Sequence, residues 1–178
     1  MRIGSLRRAV MIKTFRNHRP VVPDSAFVAE AALVMGDVSL GEQCGVWPGA
    51  IIRGDFAHIR IGNGTIIEDN VVVHTGSDMH IGANVIVGHG AVIHCRRIGN
   101  NSLIANNATV LDDAEVGSFC VIGAGAVVSP GTVIPDRSLV FGVPAKVAGE
   151  VKAHQLARLE RGNGAYLEMF EQYRRDGI

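Results

Sequence analysis

From Val28 onward an aliphatic side chain returns every six residues. It falls at Val28, Val34, Leu40, Val46 and Ile52, then at Ile61, Ile67 and Val73, then at Ile81, Val87 and Ile93. The series ends without a break at Ile98, Ile104, Val110, Val116, Ile122, Val128 and Ile134. A mostly small side chain sits two positions earlier, as at Ala26, Ala32, Cys44, Ala50, Ser102, Ala108, Ala114, Cys120 and Ala126. A period of six suits neither an amphipathic helix nor a simple alternating strand. It suits short strands joined by tight bends, with the aliphatic and the small residue both turned inward, stacked as the coils of a parallel β-helix of hexapeptide repeats. Three hexads close one triangular coil, so these eighteen positions give six coils, and at β-strand spacing a prism roughly 29 Å long. Composition agrees: 47% of residues are hydrophobic but only 5% aromatic, and 22 are glycine, a mainly β make-up of small side chains.

Hexads that hold the same place in successive coils stack in columns. Ile52, Val73, Ile93 and Val110 share one column, and Ile67, Val87 and Ile104 share another. The repeat is interrupted only from 52 to 61, from 73 to 81 and from 93 to 98, each time directly after a residue of the first column. All three irregularities therefore fall at one corner of the prism, where repeat proteins tend to place function. Similarity to known left-handed β-helices supplies the hand, which the period does not. Residues 1–20 read as a lead-in with one edge-strand segment, VMIKTF, and Met11 could equally begin the protein. Residues 21–149 read as the β-helix, with the repeat stopping at Pro135-Asp136 and FGVPAKV leading the chain away. Residues 150–178 read as a helical segment, because Val151, Leu156, Leu159, Tyr166, Leu167, Phe170 and Tyr173 follow helical spacing. Gly162 and Gly164 split it into two parts.

The chemistry concentrates between Val73 and Ile98. His74 follows Val73 and His94 follows Ile93, so the two imidazoles stack about 5 Å apart at the irregular corner and suit a single Zn²⁺. His89 follows the second column and lies across the prism from them. In a threefold assembly that column of one chain faces the His74/His94 corner of the next, so three ligands from two chains would leave a fourth position open, the arrangement of a catalytic site. The alternative is three unconnected surface histidines. Arg53 lies one coil from His74 and Asp69 one coil from His89, so these two could pair across the same interface.

With these residues in view, Arg53-Gly54-Asp55, Glu68-Asp69-Asn70, His74, GHGAVIH at 88–94 and GVPAK at 142–146 resemble the γ-class carbonic anhydrase family. GVPAK is shared with hexapeptide acyltransferases. The resemblance implies a homotrimer with Zn²⁺, or Fe²⁺ or Co²⁺, held by His74, His89 and His94, and reversible hydration of CO₂ to bicarbonate by metal-bound hydroxide at the trimer interface. It also implies that Arg53 pairs with Asp69 between subunits and that Asp55 belongs to the polar network of the site. The sequence departs from the family at Glu68, where many members have Gln, and at Ala105-Asn106, where Gly-Met is common. It has Val140 in place of a tyrosine, and the acidic loop is reduced to TGSDMH, leaving Asp78 and His80 as the remaining candidates for moving protons. The departures leave the metal ligands in place and bear on Glu68 and Asn106 as catalytic groups and on how efficiently CO₂ is hydrated.

Two other functions fit the same frame. One is an acyl-CoA thioesterase or acetyltransferase, although an acetyltransferase has no use for three aligned histidines. The other is a non-catalytic metal-binding assembly protein, suggested by Glu68 and Asn106. The net charge of zero argues against nucleic acid as a partner, and no apolar run is long enough for a membrane helix. Three cysteines, an odd number without a signal peptide, fit a reducing cytoplasm. Cys44 and Cys120 read as core, and Cys95 as either a core residue or a soft group behind His94. His18, His58, His80 and His154 read as surface residues. Arg96 and Arg97 read as a solvated pair or as a contact for an anionic substrate.

Overall fold

The computed structural model describes residues 11–160 and 164–176; residues 1–10 and Gly162, on which two of the readings above fall, lie outside them. Nearly every hexad forms a strand of two residues that pairs in parallel with the strand one coil above and one coil below. Three faces result. Face one carries Ile52, Val73, Ile93, Val110 and Val128 in register. Face two carries Ile61, Ile81, Ile98, Val116 and Ile134. Face three carries Val28, Val46, Ile67, Val87, Ile104, Ile122 and Val140. These aliphatic residues point inward and most are fully buried. The fold is thus a mainly β, parallel β-solenoid of hexapeptide repeats followed in the chain by two helices.

The repeat runs further than its spacing suggested. Face three has eight strands, the last pair antiparallel, which leaves seven parallel rungs rather than six. Leu139-Val140 pairs with Val121-Ile122, and Val140 is fully buried. Pro135 does not end the coil, because it occupies the last rung of face two. On lower rungs the residue after the aliphatic donates its N–H to the coil above, as Gly99 does to Val116 and Gly117 to Ile134. At Pro135 there is no further rung to donate to, so the missing N–H costs nothing. The chain then leaves through an antiparallel hairpin that pairs Ser138–Gly142 with Ala145–Glu150.

The three irregular spacings all lie at the corner between faces one and two. There Ile51–Ile61 runs as one bent strand, pairing through Ile51–Arg53 on face one and Ile59–Ile61 on face two. At the other end, helix α1 (Ala153–Glu160) and helix α2 (Gly164–Asp176) close the chain. Phe170 of α2 is buried, stacks on Phe27 at 5.1 Å and packs against Trp47. The aromatic residues are scarce, and most of those described gather here, where the helix meets the first rungs of face three.

Candidate metal centre

At the irregular corner, glycine sets the geometry. A Cβ at Gly36 would lie 2.2 Å from the Gly54 carbonyl oxygen, and one at Gly54 would lie 2.4 Å from that of Asp37. Only paired glycines let the two bent strands nest this closely. The nesting turns Asp55 back toward the column, where His74 Nε2 meets Asp55 Oδ1 at 3.0 Å and Arg53 bonds the other carboxylate oxygen. Burial alone would raise the Asp55 carboxyl, but the bonds from Arg53 and His74 hold it below its ordinary value. His94 stands one rung on, its ring 5.1 Å from that of His74, and its Nδ1 lies 3.1 Å from Asp112 Oδ1. These contacts leave His74 Nδ1 and His94 Nε2 clear. The exposed ring of Phe56 meets His74 edge to face at 5.8 Å.

His89 stands at the corner between faces three and one. Its Nδ1 lies 3.0 Å from Asp69 Oδ2 and its Nε2 lies 3.1 Å from Glu68 Oε2. Glu68 is buried, at 7% exposure. It accepts the His89 backbone N–H at 3.1 Å and the hydroxyl of Tyr166, which α2 carries to it. Asn106 is exposed on the next rung, and its Oδ1 occupies the space that a Cβ on Gly88 would need, 2.5 Å away.

The chain therefore brings His74, His94, Asp55 and Arg53 together, and separately His89 with Glu68 and Asp69. It does not bring the three histidines together: among the described residues no group of three potential ligands could hold a metal within one chain. Within the chain, moreover, Arg53 pairs with Asp55, and Asp69 faces its own His89. The donor chemistry of His74 and His94 nonetheless fits a transition metal, since each has a carboxylate on one nitrogen, the usual support behind metal-binding histidine. His89 has a carboxylate on both, and Glu68 must yield its Nε2 for that ring to bind a metal. The Cys95 side chain belongs to the core: it is fully buried, and burial pushes its thiol up to about 12. Asp112, Tyr166 and Phe56 are site neighbours that the repeat did not reveal. Asp112 was open to discovery as the residue one position beyond His94's place on the next rung, whereas nothing in the spacing tells where α2 docks.

Residues 97–130 match the family model described as bacterial transferase hexapeptide (six repeats). A hexapeptide transferase family protein from Anaplasma phagocytophilum is 32% identical, with a TM-score of 0.88 over 92% of this chain and 98% of that one. The chain belongs to the hexapeptide transferase family. A second structure of this kind, a candidate acetyltransferase from Bacillus cereus, is 35% identical with a TM-score of 0.88, covering 92% of this chain and 96% of that one. This hexapeptide family chain is also 46% identical over 55 residues to mitochondrial γ carbonic anhydrase 2 of Arabidopsis thaliana, 31% of this chain and 20% of that protein. Its matches span under two fifths of the length of the first curated relatives.

Proposed function

We propose that this hexapeptide family member is a γ-carbonic-anhydrase-like metalloenzyme that hydrates CO₂ at the interfaces of a homotrimer. The observation that carries the reading is the pair of imidazoles, His74 and His94, facing each other at 5.1 Å with a carboxylate behind each. Zn²⁺, or Fe²⁺ or Co²⁺, would be held by His74 and His94 of one copy and by His89 of the next. When bound, the metal supplies the Lewis acidity that makes water a nucleophile near neutral pH. Asp55 fixes the His74 ring, Arg53 neutralises Asp55, and Asp112 fixes the His94 ring. Glu68, held by Tyr166, would stand beside the reacting groups, ready to accept a hydrogen bond or a proton, with Asn106 one rung away. The Arg53 side chain stays 37% exposed and would reach Asp69 of the neighbouring copy.

Self-assembly has support in the outward residues of the faces. On face one they are Ile51, Val72, Val92, Thr109 and Val127, an apolar ladder in which Ile51 and Val92 are each 37% exposed. Face one lies between the His74/His94 corner and the His89 corner, so packing it against other copies draws the two half-sites together. A second reading is acyl transfer or acyl-CoA hydrolysis on the same frame, and acyl transfer has support in the candidate acetyltransferase of Bacillus cereus, whose match covers 92% of this chain.

The test is to assay CO₂ hydration, acetyl transfer and acyl-CoA hydrolysis on one preparation of known metal content. The proposal expects CO₂ hydration that scales with metal and disappears in His94→Ala. Acyl turnover without CO₂ hydration would assign the second reading.

A further inference from the structure

Face two bears a different outward ladder. Arg60, His80, Arg97 and Glu115 occupy consecutive rungs in direct register. Three of them are cationic or cation-capable, stacked at strand spacing, an arrangement that repels itself unless something negative lies against it. These residues line a cleft of about 450 Å³ together with Arg96, His58 and Asp78. Its two carboxylates have other partners on its rim: Asp78 Oδ1 accepts the His58 backbone N–H at 3.1 Å, and Glu115 reaches Arg96 at 3.9 Å. Arg60 and Arg97 have no carboxylate partner among the described residues.

We infer that this cleft is an anion site for the phosphate or diphosphate group of a small soluble ligand, gripped by Arg60 and Arg97 with His80 between them. Arg60 and Arg97 lie two rungs apart, roughly 10 Å between backbones, with His80 on the rung between them, and all three side chains line the one cleft. A single tetrahedral oxyanion meets one guanidinium fork, while a diphosphate is long enough to meet both. The protonation of His80 reports the same field: burial, then Arg97, then Arg60 hold its imidazole below the ordinary value. The neutral ring still offers an N–H donor to an oxyanion. The site needs neither the metal nor the trimer, because Arg60, His80 and Arg97 all stand on face two of one chain. It is nevertheless close in sequence to the metal corner, with Arg97 three residues after His94 and His80 six after His74.

Isothermal titration of the full chain with inorganic pyrophosphate tests this, with His94→Ala as a second host so that binding at a metal is removed. The inference expects saturable binding of one pyrophosphate per chain in both proteins. It expects Arg60→Ala and Arg97→Ala each to weaken it about tenfold or more, as loss of a charge-assisted fork should. Lys146→Ala, which removes an equal charge from the exposed hairpin, should leave it unchanged. Both arginines are exposed, and matching thermal melts would confirm that the variants fold. Absence of saturable binding, equal weakening by Lys146→Ala, or binding that His94→Ala abolishes and Arg97→Ala spares would each overturn the inference.

Discussion

Glu68 and His80 show how a single side chain in this fold is governed by what the neighbouring coil places beside it. Glu68 is a buried carboxylate that is tolerable because it accepts the Tyr166 hydroxyl and the His89 N–H, and a buried charge without such partners would be expelled or neutralised. Tyr166→Phe should therefore destabilise the protein by about 1–2 kcal/mol in urea unfolding, a hydrogen bond to a charged group discounted for the half-buried tyrosine. An unchanged midpoint would mean that α2 does not deliver Tyr166 to Glu68. His80 has the opposite problem, a cation-capable ring next to Arg97 and Arg60, with Asp78 and Glu115 in the same cleft too weakly placed to reverse the effect. The unfolded chain binds this proton near pH 6.5 and the folded chain only at lower pH, so the unfolded state takes up more protons as pH falls. The contribution of His80 to stability is complete above about pH 6.5 and is lost as pH falls through the lowered value. His80→Gln should make the decline in urea midpoint between about pH 6.5 and 5 shallower than in the parent. Superimposable curves would contradict the shift.

Among the elements, the bent strand Ile51–Ile61 does most to position the site. Gly54→Ala would drive a Cβ to 2.4 Å from the backbone oxygen of Asp37, which no rotamer change relieves. Destabilisation of about 1–3 kcal/mol is expected from the overpacking, together with a displaced Asp55, seen as reduced metal retention by a chain that still melts cooperatively. Full metal retention would show that the nesting does not serve the site. The column pairings Ile52, Val73, Ile93 and Val110 could be read from spacing, because in a coil of three six-residue repeats each break length fixes which residue stacks on which. Those pairings also set His74 and His94 one rung apart. The seventh rung at Leu139-Val140 was hidden because a proline normally ends a strand, and the exception at Pro135 depends on there being no further rung above it. The Glu68–Tyr166 bond was hidden for a different reason. It joins residues 98 apart, and the docking position of an amphipathic helix is set by the Phe27–Trp47–Phe170 cluster, not by any repeat.

At the scale of the whole molecule, the three faces divide the labour. Face three takes helix α2, face two stays charged, and face one presents aliphatic side chains between the His74/His94 corner and the His89 corner, which a single chain keeps apart. The central claim is that each metal is shared, with His74 and His94 from one copy and His89 from the next. The most direct test is to mix two defective chains. His89→Ala and His94→Ala are unfolded and refolded together in equal amounts, excess metal is removed, and bound metal per chain is measured beside each variant refolded alone. An interface is complete whenever a His89→Ala chain supplies His74 and His94 to a His94→Ala chain that supplies His89. Random association in trimers makes that about one interface in four. The account predicts nearly no metal in either variant alone and about a quarter of the parent level in the mixture. A mixture that holds no more metal than its two components, or a His89→Ala protein that alone retains the parent level, would contradict it.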